Sequence, residues 1–295
     1  MEIYGAKING LNDPIGFGYE PLLCSWKVRK SKGTKQANAK IQVATDADLA
    51  AIVYEKEGDL KCVGEVLSFA LQPYTRYFYQ ITVESDVGEV ARSEIHFFET
   101  AKLNDPWQAK WIGVTGDDTH PELQKTFAVK GEVNNSRLYI CGLGIFEAYI
   151  NGHKAGNDLM APFINDYEEH FQYCTYDVTD LLLRDNEISV LLGDGWYRGH
   201  FGLGSPTHYE RPLALIAELR IEYADGSIET IVTDESWRYR RSFTSLSDIY
   251  NGETQDYSQP LGEWKQAVAI DTPGKLCQQY RPLCVFSERC TYGHR

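Results

Sequence analysis

YICGLGIFEAYINGHKAGNDLMAPFINDYEEHFQYCTYDVTDLLLRDNEISVLLGDGWYRGHF, residues 139–201, decides the fold. Apolar and aromatic residues alternate with polar ones in short runs, the pattern of strands buried on one side. Asn151-Gly152 sits between two such runs and reads as a hairpin turn. A polar loop follows, then a Tyr-rich run around Tyr173 and Tyr176. A last strand runs into Gly193-Asp194-Gly195-Trp196-Tyr197-Arg198-Gly199. Between them Thr175–Leu182 reads as the start of one helical turn, with Asp177 or Thr179 as its cap. Apolar residues build the sheet, and Asn, Asp, Trp, Tyr and Arg gather at its turns. That is how a β-sandwich builds a small polar binding face.

Strands continue on both sides of this stretch. Downstream, Pro212–Tyr223 is a long strand turned at Asp225-Gly226, and Glu229–Thr233, Trp237–Arg240 and Ser247–Tyr250 follow. So many strands with long loops suit a jelly roll. Upstream, Asn104-Asp105-Pro106 is a boundary, because proline pushes its neighbour to extended geometry and Asn and Asp favour turns. Trp107 and Trp111 just after it read as a seal between domains. Before it, Leu22–Val28, Ala39–Ala44, Ala51–Tyr54, Phe78–Val83 and Glu94–Glu99 are strands of a smaller sandwich. The expected fold class is all-β, two tandem β-sandwiches over residues 1–103 and 104–268. Residues 269–295 hold one short apolar run, Leu283–Phe286, too little for a third core. They read as a tail entering a further domain that the chain lacks.

Composition narrows the partners. The net charge of −13 and a pI near 5.0 argue against nucleic acid and anionic membranes, which both need a basic face. They fit a protein that meets neutral or cationic ligands. The seven cysteines are odd in number and lack a CxxC pair, so reduced thiols are expected, with Cys141 and Cys174 as small core residues. Cys277, Cys284 and Cys290 lack zinc spacing. The N-terminus has neither a basic nor an apolar signal region, and no apolar run is long enough to span a bilayer. A cytoplasmic location is the default expectation.

The run Tyr149-Ile150-Asn151-Gly152, then Ala161-Pro162, Asn165-Asp166-Tyr167, Thr175-Tyr176-Asp177-Val178-Thr179 and the Gly193–Gly199 turn is similar to the N-terminal region of bacterial α-L-rhamnosidases. Ile249-Tyr250-Asn251-Gly252-Glu253 resembles a further element of that family. Trp26, Gln36, the Leu71-Gln72-Pro73-Tyr74-Thr75-Arg76-Tyr77 segment and Phe98-Glu99-Thr100 resemble the fibronectin type III-like domain that precedes it there. The second domain would then be a jelly-roll, galactose-binding-like sandwich. The resemblance implies a non-catalytic region that binds carbohydrate or serves rhamnoside hydrolysis, with a rhamnose-containing or related neutral sugar as its ligand. The alternative is a purely structural role, positioning a catalytic barrel. The family's inverting hydrolysis belongs to that downstream barrel, so this chain is expected to be inactive alone.

Trp196, Tyr197 and Arg198 could form a sugar platform, an aromatic face against C–H groups with a guanidinium on hydroxyls. The competing reading is a buried Trp196 in a tight turn. Asn157, Asp158 and Asp166 lie in one polar loop and complete the candidate sugar-binding set. Asn157 and Asp158 could also hold Ca²⁺, which takes oxygen ligands, and the resemblance implies rhamnose held through calcium. Against this, Asn and Asp often only make Asx-turns. Ile164-Asn165 also stands where the family has Trp-Thr. Glu253 and Asp256 are paired acids, the types a glycosidase needs, but turn-forming roles are commoner. His120, His153, His170, His200 and His208 show no metal or base spacing.

Overall fold

The computed structural model describes residues 1–114, 120–200, 212–272, 274–280 and 284–285; His208 and Cys290 lie outside them. The chain divides into two compact units, Met1–Asp105 and Pro106–Arg295.

The first unit contains β1 (Glu2–Ile8), β2 (Leu23–Arg29), β3 (Gln36–Ala44), β4 (Ile52–Gly58), β5 (Glu65–Val66), β6 (Arg76–Ser85), β7 (Val90–Arg92) and β8 (His96–Glu99). One sheet has the order β1-β2-β5, the other β4-β3-β6-β7 with β8 also on β6. The period of two puts Ala39, Ile41 and Val43 of β3 and Tyr77, Tyr79, Ile81 and Val83 of β6 inside, packed with Cys24 and Trp26 of β2. The Tyr77 hydroxyl accepts the Gln72 N–H at 2.8 Å and fixes the bend into β6. That is the tyrosine corner the Leu71–Tyr77 segment suggests.

The second unit begins with β9 (Ile112–Gly113), β10 (Pro121–Ala128), β11 (Val133–Leu143), β12 (Ile145–Ile150), β13 (His153–Lys154), β14 (Asp158–Leu159), β15 (His170–Asp177) and β16 (Asp185–Gly193). After a one-turn helix α1 (Gly195–Arg198) come β17 (Ala214–Tyr223), β18 (Ile228–Val232), β19 (Arg238–Arg241), β20 (Thr244–Asp248), β21 (Gly252–Gln255), β22 (Lys265–Gln266), β23 (Val268–Ala269), β24 (Lys275–Gln278) and β25 (Cys284–Val285). A six-stranded sheet runs β13-β12-β16-β10-β19-β22. A second sheet runs β23-β9-β17-β11-β15-β24, with β18 on β17.

Strand β16 shows why the first of these sheets has one wet face. Asn186, Ile188, Val190 and Leu192 are buried, while Glu187, Ser189 and Leu191 alternate outward. Strand β11 is buried on both faces from Ser136 to Leu143. Its second face holds Tyr139, which meets Tyr173 edge-on, and Trp107 meets Tyr173 in turn at 5.2 Å. Trp111 packs on Phe171 at 5.4 Å. The two boundary tryptophans therefore cover the second unit's own sheet.

The hairpin reading of Asn151-Gly152 holds: both have positive φ, and Ile150 pairs with His153. The expected helical turn shrinks to a single 3₁₀ turn, Thr179–Leu181, because β15 continues to Asp177; Asp177 accepts the Thr179 N–H at 3.1 Å. Residues 275–278, expected in an outgoing tail, instead form β24, which pairs in parallel with β15. The described cysteines 24, 62, 141, 174 and 277 are free thiols, with Cys141 and Cys174 buried.

Trp237 is the largest side chain of the second unit's core that is also tied by hydrogen bond. It is 1% exposed, and its indole donates to the Val232 carbonyl at 2.9 Å. Trp237→Ala leaves a cavity and an unpaired carbonyl, and is expected to cost about 3–5 kcal/mol of the second unit's stability in a denaturant titration.

Candidate functional site

The Gly193–Gly199 turn is built by close approach. A Cβ on Gly193 would meet Ser247 Oγ at 2.3 Å, and one on Gly199 would meet the Gly195 carbonyl at 2.4 Å and Asp248 Oδ2 at 2.8 Å. Gly195 also has φ +53°, the left-handed region. These glycines let the turn lie against the turn end of the β20–β21 hairpin. The Asp194 N–H donates to the Ser247 carbonyl at 3.0 Å. The Gly193–Gly199 and Ile249–Glu253 motifs, about fifty residues apart in sequence, thus meet at one place.

Asp248 is the link. Its carboxylate accepts the N–H groups of His200 at 2.6 Å and of Tyr250 and Asn251 at 2.8 Å each, and His200 Nδ1 lies 3.0 Å away. Burial alone would raise this carboxyl, but the His200 and hairpin donors outweigh it and hold its pKa at about 2. Asp194 is half-buried, which raises its carboxyl, yet it is held below the ordinary value by His120 at 3.1 Å and by Arg198 at 2.9 Å.

The structure separates the sequence candidates. Tyr197 is 1% exposed and packs on Tyr167 at 5.0 Å, so it anchors the turn to the Asn165-Asp166-Tyr167 loop. Arg198 spends its guanidinium on Asp194. Trp196 is half-buried. Asp166 is exposed and accepts the Glu168 N–H at 3.3 Å, an Asx-turn, while the buried Asn165 accepts the Gln172 N–H at 2.9 Å. Asn157 is exposed and Asp158 half-buried. Burial pushes the Asp158 carboxyl up, against the Tyr176 hydroxyl and Lys154 ammonium beside it. Asp256 accepts the N–H of Ser258 at 2.9 Å, so it shapes a turn and does not pair with Glu253.

A different set forms a groove. Register places two rows across the wet face of the six-stranded sheet. One row is Glu147, Leu191, Glu122 and Arg240; the other is Tyr149, Ser189, Gln124 and Arg238. Arg240 donates to Glu122 at 2.7 Å, Arg238 donates to Gln124, and both guanidiniums lie under the Trp264 ring at 4.3 and 4.4 Å. Glu147 accepts from Lys154 at 2.5 Å and from Tyr149 at 2.6 Å. Burial opposes ionisation of Glu147, and these two donors outweigh it and lower its pKa.

The β20–β21 hairpin roofs one end of this face. Two adjoining cavities result, of ≈ 270 and ≈ 360 Å³, sharing Leu191, Thr244 and Gln255. Tyr149 and Tyr257 line the smaller; Glu147, Asp248 and Glu253 line the larger. Tyr257 is 71% exposed and packs on Phe243 at 4.8 Å. Sequence reasoning missed Glu122, Ser189 and Arg240 because only cross-strand register makes them neighbours, and Tyr257 because it reaches the groove from the turn after β21.

Fold and groove define a tandem β-sandwich protein with one polar, aromatic-edged sheet face. Comparison with known proteins places it further. Residues 131–277 match the "Alpha-L-rhamnosidase N-terminal domain", and residues 3–104 match the "Rha78A-like, N-terminal immunoglobulin domain". An α-L-rhamnosidase of Alteromonas sp. (strain LOR) is 27% identical over 94% of this chain and 34% of its own length. The α-L-rhamnosidase structure from Dictyoglumus thermophilum is 27% identical with a TM-score of 0.79, over 94% of this chain and 35% of that one. That from Aspergillus terreus is 26% identical with a TM-score of 0.81, over 92% and 34%. The chain belongs to the α-L-rhamnosidase family and corresponds to its N-terminal, non-catalytic Ig-like and β domains. It spans about a third of the length of the relatives it matches.

The Asp248 linkage carries a pH signature. A carboxyl depressed from 3.8 to about 2 on folding contributes stability that is fully present above the unfolded value and is lost as pH falls through the folded one. Wild-type stability should therefore fall more steeply than that of Asp248→Asn as pH drops from near 3.8 to near 2, read by thermal unfolding. Parallel pH profiles for the two proteins would remove Asp248 as the link.

Proposed function

We propose that the second sandwich is a carbohydrate-binding accessory module for a rhamnose-containing or related neutral sugar, presenting that sugar to a rhamnoside-hydrolysing catalytic domain. The roofed groove on the six-stranded sheet carries this reading. Tyr149 and Tyr257 offer aromatic surface for the C–H face of a pyranose. Glu122, Arg240, Glu147 and Gln255 offer acceptors and donors for its hydroxyls, and each is already held by a neighbour, so little side-chain entropy is lost on binding. The similarity to proteins named α-L-rhamnosidase supports the choice of sugar.

Ca²⁺ belongs to the proposal at Asn157 and Asp158. Among the described residues no three His, Cys, Asp or Glu side chains gather as a metal site. A cation there would take one amide and one carboxyl oxygen from this pair and the rest from backbone and water. The fit rests on Asp158: it is half-buried, burial pushes its carboxyl up despite Tyr176 and Lys154 beside it, and Lys154 is itself paired with Glu147, so a divalent ion would add the positive charge that favours the carboxylate.

Calorimetric titration with L-rhamnose and methyl α-L-rhamnoside, with Ca²⁺ and with chelator, tests both parts. Heat is expected, weakened about tenfold by Tyr257→Ala at unchanged melting temperature. Asp158→Asn should remove any calcium dependence, and calcium affinity should fall as pH falls through the raised Asp158 value. No heat at millimolar sugar in either state refutes the module reading.

A further inference from the structure

Residues 21–45 of this acidic chain carry six lysines and arginines and no carboxylate. The first unit folds them around a cleft of ≈ 590 Å³ where β2 hands over to β3. Lys27, Arg29, Lys30 and Lys35 line it, and no carboxylate does. We infer that this cleft is a binding site for an acidic saccharide, one carrying carboxylate or sulfate groups.

Local carboxylates cancel only part of the charge of the cleft. Glu89 accepts the Ser31 hydroxyl at 2.8 Å and the Lys32 N–H at 2.7 Å; Asp86 accepts the Thr34 N–H and hydroxyl at 3.0 Å each. Both acids are thereby turned onto the 31–34 loop, and those hydrogen bonds lower their pKa values. They stiffen the loop that displays the cations. Glu2 answers Arg29 and Lys30. Lys27 and Lys35 are exposed and have no carboxylate within ion-pair distance among the described residues.

The rest of the cleft is apolar. Trp26 forms its floor, 1% exposed, with its indole donating to Gln36 at 3.3 Å. Val28 and Val63 are exposed on its walls, and the Arg29 guanidinium lies 4.8 Å from the centre of the Tyr4 ring. An apolar floor under a cationic rim matches a sugar acid, whose ring offers C–H groups and whose substituent offers negative charge. The volume lies in the range of small-ligand pockets. The saccharide part of the assignment rests on the carbohydrate reading of the second sandwich; the site itself does not.

The test is titration of the full chain with oligogalacturonate, a sulfated heparin oligosaccharide, a neutral oligosaccharide and hexaglutamate. Either acidic saccharide should bind above the neutral one, more weakly in about 0.5 M salt. Lys27→Glu with Lys35→Glu should lower that affinity about tenfold at unchanged melting temperature, with rhamnose binding intact. Tyr257→Ala should do the reverse, so failure of one site is told apart from failure of the other. Equal binding of hexaglutamate would overturn the inference in favour of an acidic peptide. So would an unchanged affinity in the lysine double variant, or no binding of either acidic saccharide.

Discussion

The buried carboxylate of Asp248 is the constraint on which the site depends. It accepts three backbone N–H groups and faces His200, tying the Gly193–Gly199 turn to the β20–β21 hairpin. A carboxylate in such a nest orders both segments at once, because each donor is left unpaired if it moves. The hairpin's position in turn sets the roof of the groove. The glycines of the turn serve the same contact, since side chains at Gly193 and Gly199 would collide with Ser247 and Asp248. The most specific motif in the chain is thus a joint. The polar groove lies beside it.

That distinction explains what was legible in the sequence. The all-β class, the Asn151-Gly152 hairpin and the Tyr77 corner follow from local pattern, and local pattern is written in consecutive residues. Composition also marked the aromatic turn at Trp196 and Tyr197 as important. It could not tell an anchoring tyrosine from a displayed one. Tyr197 points into the core against Tyr167, while Tyr257, next to the acid Asp256, stands in solvent. Alternation tells which side a residue takes, but not its cross-strand neighbour. Glu122 and Arg240 are 118 positions apart and become partners only through the β10–β19 register.

The polar loop shows a second limit. Asn157, Asp158, Asn165 and Asp166 look equivalent in composition. In the fold they do three different things. Asn165 is a buried strand-entry acceptor, Asp166 makes its own turn, and Asp158 sits half-buried near Tyr176. Only burial separates a carboxylate that water already satisfies from one whose carboxyl is pushed up. Burial at a loop is set by what packs over it, which no local spacing encodes.

The two clefts differ in how their charges are balanced, and the difference has chemical consequences. On the six-stranded sheet Glu122 has Arg240, and Glu147 has Lys154. Those pairs leave dipoles and residual lone pairs for a ligand but little net charge, which suits neutral hydroxyl groups. A free ion there would have to break a pair, and breaking a partly buried pair is costly. At the first unit's cleft Asp86 and Glu89 are turned onto the 31–34 loop, Glu2 pairs with Arg29 and Lys30, and Lys27 and Lys35 have no carboxylate within ion-pair distance among the described residues. Exposed pairing contributes little to stability, so the fold loses almost nothing by leaving these cations unanswered. What they retain is an attraction for anions that the rest of this acidic chain lacks.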